Sequence, residues 1–182
     1  MGLDISWNLG LLREHDVIVT INEWVSHEVF SFGWWFLVIC LIVPWVVWFK
    51  IVDRKGAPQI LLAGLFALII TAYMDDLGST LNLWQYPIKL LPIGLVAMPF
   101  DFSVIPVFYM IIYQYSNSWR NYSVALLILA VFSAYVGEPI SEYLNLLFYV
   151  RWKYFYSFIF YIITGIIIKV LTDQTLKFAR VQ

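Results

Sequence analysis

Hydrophobic residues in this chain come in long unbroken runs, not in the alternating or one-sided patterns of soluble elements. Residues 29–49, 56–74, 102–119 and 121–137 contain no Asp, Glu, Lys or Arg, and a fifth run, 154–168, continues past a lone Lys169 to Leu171. A helix rising 1.5 Å per residue needs about 20 residues to cross about 30 Å of hydrocarbon, with a workable range of roughly 17–25. Each run reaches that length or comes close. Strict period-2 alternation is absent, and open strand edges cannot be satisfied in lipid. The pattern predicts an all-α fold, a polytopic membrane bundle of five transmembrane helices over residues 29–172. An outer segment, 1–28, precedes it and a cytoplasmic tail, 173–182, follows.

In the outer segment Leu11, Ile18, Ile21 and Val25 recur at near-helical spacing, with Arg13, Glu14, Asn22 and Glu23 between them. This predicts an amphipathic helix on the outer surface. A secretory leader is not expected. Asp4 stands where a basic region belongs, and the next apolar run ends in Pro44-Trp45-Val46-Val47-Trp48 without a small-residue cleavage site.

Basic residues orient the bundle. With the N-terminus outside, the inner loops and tail hold Lys50, Arg54, Lys55, Arg120, Lys169, Lys177 and Arg180, and the outer side holds Arg13, Lys89, Arg151 and Lys153. The positive-inside rule then predicts N-out, C-in, in a cell membrane. Acidic residues fall the other way, with only Asp53 and Asp173 inside.

Composition narrows the class further. The chain is 62% hydrophobic, 19% aromatic and only 13% charged, against about a quarter charged in soluble domains. That excludes disorder, a basic nucleic-acid binder and an ordinary cytosolic enzyme. The one cysteine, Cys40, lies within an apolar run, so no disulfide framework or cysteine metal site is available.

Three acids are predicted at one depth. Along ideal helices Asp75 lies about 30 Å from Lys55, while Asp101 and Glu138 lie about 28 and 27 Å from Arg120. If the basic residues mark the inner face, these carboxylates sit near the outer hydrocarbon boundary, with Asp76 and Glu142 close by. Pro92, Pro99 and Pro106 leave the register of Asp101 open, and a deeper Asp101 is a functional candidate by position alone. Two readings compete. In one, the acids are wet helix ends paired with Lys89, Arg151 and Lys153. In the other, Asp75, Asp76, Asp101 and Glu138 line one pocket that holds a divalent cation, for which oxygen-only ligands suit Mg²⁺ or Ca²⁺. Glu23 and His27, spaced i, i+4, read as a solvated pair. Trp84, Tyr86, Trp152 and Tyr154 read as an outer aromatic belt, and Trp48, Tyr113, Tyr115 and Trp119 as an inner one. Lys169 reads as a side chain snorkelling to the inner interface.

Two segments resemble each other. Ala72-Tyr73-Met74-Asp75-Asp76-Leu77-Gly78-Ser79, continuing to Leu81-Asn82-Leu83 and Tyr86, matches Ala134-Tyr135-Val136-Gly137-Glu138-Pro139-Ile140-Ser141, continuing to Leu144-Asn145-Leu146 and Tyr149. One inserted residue aligns them and sets Asp76 opposite Glu138. The second and third spans are then a parallel repeat of the fourth and fifth. The outer pocket between the two turns is expected to involve Asn82, Trp84, Tyr86, Asn145, Arg151 and Lys153.

The run Asn82-Leu83-Trp84-Gln85-Tyr86-Pro87-Ile88-Lys89-Leu90-Leu91-Pro92, with Pro99-Phe100-Asp101-Phe102, Gly137-Glu138-Pro139 and Trp152-Lys153-Tyr154, resembles an uncharacterised family. Its members are small multi-pass membrane proteins of endospore-forming Gram-positive bacteria. This resemblance implies location and shape but no activity. Trp84-Gln85-Tyr86 and Pro99-Phe100-Asp101-Phe102 are also similar to elements of lycopene-cyclase-type membrane domains. A single Asp101 followed by Phe102 stands where those domains carry paired carboxylates.

The favoured function is a membrane protein whose outer acidic and aromatic pocket binds a cation, a lipid headgroup or a small partner. The alternative is an intramembrane acid/base isomerase or cyclase acting on an isoprenoid or lipid, with Asp101 and Glu138 as catalytic candidates. An ion path is disfavoured in a monomer. The inner halves of the spans offer only Gln59, Tyr109, Tyr113, Gln114, Ser123 and Thr164, so such a path needs a homo-oligomer. No hydrolase triad, phosphate loop or His-rich zinc motif is present.

Overall fold

The computed structural model describes residues 14–94, 97–116 and 118–180. Leu11 and Arg13 of the proposed amphipathic segment lie outside them. Helix α1 covers 14–23 and runs into a π-turn, Trp24–Glu28. Helix α2 is Phe32–Ile51 and α3 is Ala57–Thr80. Strand β1, Trp84–Gln85, follows. Helix α4 consists of a π-turn, Phe100–Val104, and a regular part, Ile105–Tyr115. Helix α5, Trp119–Tyr143, contains a π-turn at Ser133–Gly137. Strand β2 is Phe148–Tyr149 and α6 is Tyr154–Arg180.

Local chemistry explains the boundaries. Ser31 and Ser118 cap α2 and α5, each accepting a backbone N–H from the third residue on, at 3.2 Å. Pro58 sits in the first turn of α3, where no amide hydrogen is needed. Pro106 and Pro139 each follow a π-turn by two residues. A proline cannot donate to the preceding turn and crowds its carbonyl, and widening that turn relieves both problems. At the far ends, Asn82 and Asn145 adopt left-handed conformations, with φ of 54° and 56°. Leu83 N–H reaches Gly78 O and Asn82 N–H reaches Ser79 O, and Leu146 and Asn145 do the same toward Ser141 and Glu142. Both turns are Schellman caps, and asparagine tolerates the left-handed residue they require.

Four helices, α2, α3, α5 and α6, are long and apolar enough to cross a membrane. Their outward faces carry exposed Ile39, Ile42, Leu65, Ile69, Ile128 and Ile163, as lipid-facing surfaces do. The fifth expected span, α4, is shorter, about 24 Å at the ideal rise, because the chain is still looped at 86–94. It nevertheless starts beside the C-terminal end of α3 and ends at the α2–α3 turn, where Gln114 bonds Asp53 N–H and Ile51 O.

Helix α4 packs against α2, α3 and α5, and α6 against α3 and α5. Small residues set the spacing. Ala63, Ala67 and Thr71 form one buried stripe on α3, a device that lets apolar helices approach closely. Tyr109 and Tyr122 fill the centre beside Leu126 and Ile168, and their hydroxyls donate to Tyr161 O and Gly165 O at 2.7 and 2.8 Å. Helix α1 docks through its C-terminal turn. Trp24 Nε1 donates to Lys89 O at 2.9 Å, and Glu28 accepts Lys89 N–H at 2.7 Å. Glu23 and His27 form the expected exposed pair at 3.3 Å.

Two expectations need correction. Lys169 does not snorkel, for it is 8% exposed. Its ammonium sits 5.1 Å from the ring centres of Tyr113, Trp119 and Tyr122 and 3.2 Å from Asp173. Three aromatic faces and a carboxylate replace its hydration. Nor are all the outer and inner aromatics belts. Trp48 and Trp84 are 2% and 7% exposed, because α2 and β1 turn those side chains inward.

Candidate functional site

A cavity of about 300 Å³ lies between α2, α3, α4, α5 and α6 at the end where β1 and β2 meet. Most of its wall is hydrocarbon and aromatic ring, including Phe36 of α2, Phe100 and Phe108 of α4, Phe132 of α5 and Phe160 of α6. Its polar groups are carboxyls and hydroxyls, chiefly Asp75, Glu138, Tyr86, Tyr149, Ser157 and Tyr161.

Asp75 is a hydrogen-bond hub. Its Oδ1 accepts Trp84 Nε1 at 2.9 Å and Tyr86 OH at 2.5 Å. Trp84 is held from behind by Trp152, edge to face at 5.0 Å. Across the site, the Asp101 carboxyl is within hydrogen-bonding reach of Asp75 and of Thr71. Asp101 is 1% exposed, and its Oδ1 has no partner. The π-turn after Pro99 carries Asp101 into the bundle. Burial pushes the Tyr86 phenol well above its ordinary range, and the Asp75 carboxylate adds to the shift. Tyr86 therefore stays a donor.

Glu138 follows the π-turn of α5. Its Oε1 accepts Tyr161 OH at 3.0 Å. The Tyr149 and Ser157 hydroxyls lie beside it but bond each other at 3.1 Å, and Trp152 Nε1 donates to Ser157 Oγ at 2.8 Å. Glu138 Oε2 is left with no hydrogen-bond partner. Glu142 is turned elsewhere, accepting Tyr149 N–H at 3.2 Å and the Tyr154 hydroxyl.

Of the residues expected in the pocket, Asp75, Glu138, Trp84 and Tyr86 line the cavity, and Asp101 backs Asp75. Asp76 does not join them. It is exposed and turned away from its neighbour's contacts, since adjacent helical residues diverge by about 100°. Asn82, Asn145, Arg151 and Lys153 are also exposed and outside the cavity wall. The two asparagines are occupied by turn geometry, and the two cations point to solvent. Among the described residues no three His, Cys, Asp or Glu side chains are grouped so as to hold a metal ion. Tyr149, Ser157, Tyr161 and Thr71 escaped sequence reasoning as site residues. Only Tyr149 left a signal, as the repeat's counterpart of Tyr86.

No family model, curated protein or solved structure matches the chain.

Proposed function

We propose that this is a multi-pass membrane protein whose cavity holds a ligand with a hydrocarbon body and a polar end. The observation that carries the reading is the division of the cavity into aromatic and aliphatic walls and a carboxyl–phenol end. Its volume falls at the lower end of ligand pockets, roughly 300–1,000 Å³. Phe132 and Ile140 line the cavity and are also about half exposed. Helix α2 packs on α4 but not closely on α5 or α6, so the cavity opens sideways, toward lipid, and the ligand enters from the bilayer. Native mass spectrometry of the protein in mild detergent tests this. The wild type is expected to retain a lipid-like adduct that Gly137→Leu loses. A Cβ at Gly137 meets only Phe132 O, at 3.8 Å, so the new side chain fills cavity space without forcing the backbone. Equal adducts in both proteins sink the reading.

A second reading, acid/base catalysis on the bound ligand, has its own observation. Asp75 and Asp101 face each other within hydrogen-bonding reach, and a proton shared between two such carboxyls would set an acid and its conjugate base side by side. Asp75 is the member in contact with the cavity.

The proposed architecture is five spans, N-out and C-in, with α4 as the short one. Its support is the reach of α4 from Asp75 to Asp53 and the distribution of basic residues. In a Cys40→Ala background, Arg151→Cys is expected to react with an impermeant thiol reagent in intact cells and Lys177→Cys is not. The reverse pattern inverts the topology. The internal repeat, α3–α4 with α5–α6, is supported by the twin asparagine caps and by the strand pairing. Gln85 pairs with Phe148, its own counterpart in the alignment, as a two-fold axis through that pair requires. The alignment leaves its inserted residue between Ser141 and Leu144, but the π-turn Ser133–Gly137 is a helix with one residue added and is the better place for the insertion. Placed there, the insertion shifts the counterpart of Glu138 from Asp76 to Asp75 and sets Tyr149, whose hydroxyl lies beside Glu138, opposite Tyr86, which bonds Asp75.

A further inference from the structure

Resting on the reading that the cavity holds a ligand, we infer that the ligand's polar end is a hydrogen-bond donor without negative charge, seated on Glu138 Oε2. The chemistry is that of a hydroxyl or ammonium group at the end of a hydrocarbon chain. Glu138 is 8% exposed, lines the cavity and has one satisfied oxygen and one free one. A buried acceptor without a partner is costly and uncommon, and each instance calls for an explanation.

Most neighbouring donors are committed, and the Tyr149 and Ser157 hydroxyls, which share one hydrogen bond, leave a single O–H hydrogen over beside Glu138. Trp84 and Tyr86 serve Asp75, Trp152 serves Ser157, and Tyr161 serves the other Glu138 oxygen. The site thus offers an acceptor and few spare donors. No Lys, Arg or His lines the cavity, so nothing there neutralises a phosphate or carboxylate head. Bringing a second anion beside two carboxyl positions in an apolar wall is unfavourable on both desolvation and repulsion. The hydrocarbon walls at Phe36, Phe108, Phe132 and Phe160 take the chain, and the sideways opening admits it from lipid.

The test presents the full-length protein, in phosphatidylcholine nanodiscs, with dodecanol, dodecylamine, dodecanoate and dodecyl phosphate, and reads binding by native mass spectrometry. Dodecanol, dodecylamine or both are expected to bind, and the two anions are not. Which donor binds tells an alcohol from an amine source. Glu138→Gln replaces the free acceptor with an amide that cannot serve both partners, and is expected to weaken donor binding by about 10- to 100-fold. Asp76→Asn is the control and leaves binding unchanged. Anions binding as tightly as donors, or Glu138→Gln binding donors like the wild type, overturns this inference and leaves the ligand reading standing. Failure of every probe to bind the wild type overturns both. Should Glu138→Gln not fold, the discrimination among probes by the wild type decides alone.

Discussion

Asp75→Ala is expected to destabilise the protein by roughly 2–6 kcal/mol, and Asp76→Ala by almost nothing. The two residues are neighbours with the same side chain, and their surroundings differ. Asp75 accepts from both Trp84 and Tyr86, and truncating it strands two donors away from water. Each stranded donor costs about 1–3 kcal/mol. Asp101 loses its facing carboxyl at the same time. Asp76 is exposed, so its removal alters only solvated surface. Thermal unfolding in detergent, followed by tryptophan fluorescence, measures both. Adding Trp84→Phe to Asp75→Ala is expected to recover part of the loss, because one stranded donor is then gone. Equal destabilisation by the two alanine variants would falsify the hub.

Gly78→Ala is expected to cost about 3 kcal/mol or more, a large effect for one methyl group. A Cβ at Gly78 falls 2.1 Å from Trp84 Cζ2 and 2.2 Å from Cη2. The indole cannot yield cheaply. It is bonded to Asp75, packed on Trp152 and carried by the strand paired with β2. Displacing it breaks the bond to Asp75 and opens the floor of the cavity. The diagnostic result is non-additivity. Once Trp84→Ala has removed the ring, Gly78→Ala is expected to add almost nothing, since the two residues act through one contact. Additive losses in the double variant point to a helix-propensity or backbone origin instead.

Much of this protein is determined by the sequence alone. Apolar runs of bilayer length can be satisfied only as helices, so α2, α3, α5 and α6 were legible without any contact being known. The scarcity of charge singled out Asp75, Asp101 and Glu138, because a carboxyl placed in an apolar run needs a reason wherever it ends up. Proline spacing was legible too, although the π-turns it induces were not read from it. What the tertiary structure alone decided is which way each residue faces. A helix apolar on all sides carries no one-sided pattern from which its buried face can be deduced. Asp75 could therefore not be told from Asp76, nor the hub residue Trp84 from a belt tryptophan. Tyr161, an ordinary aromatic in an apolar run, gave no sign of reaching Glu138 from another helix. Lys169 looked like an interfacial lysine because its three aromatic partners come from α4 and α5, and only packing brings those faces around one ammonium.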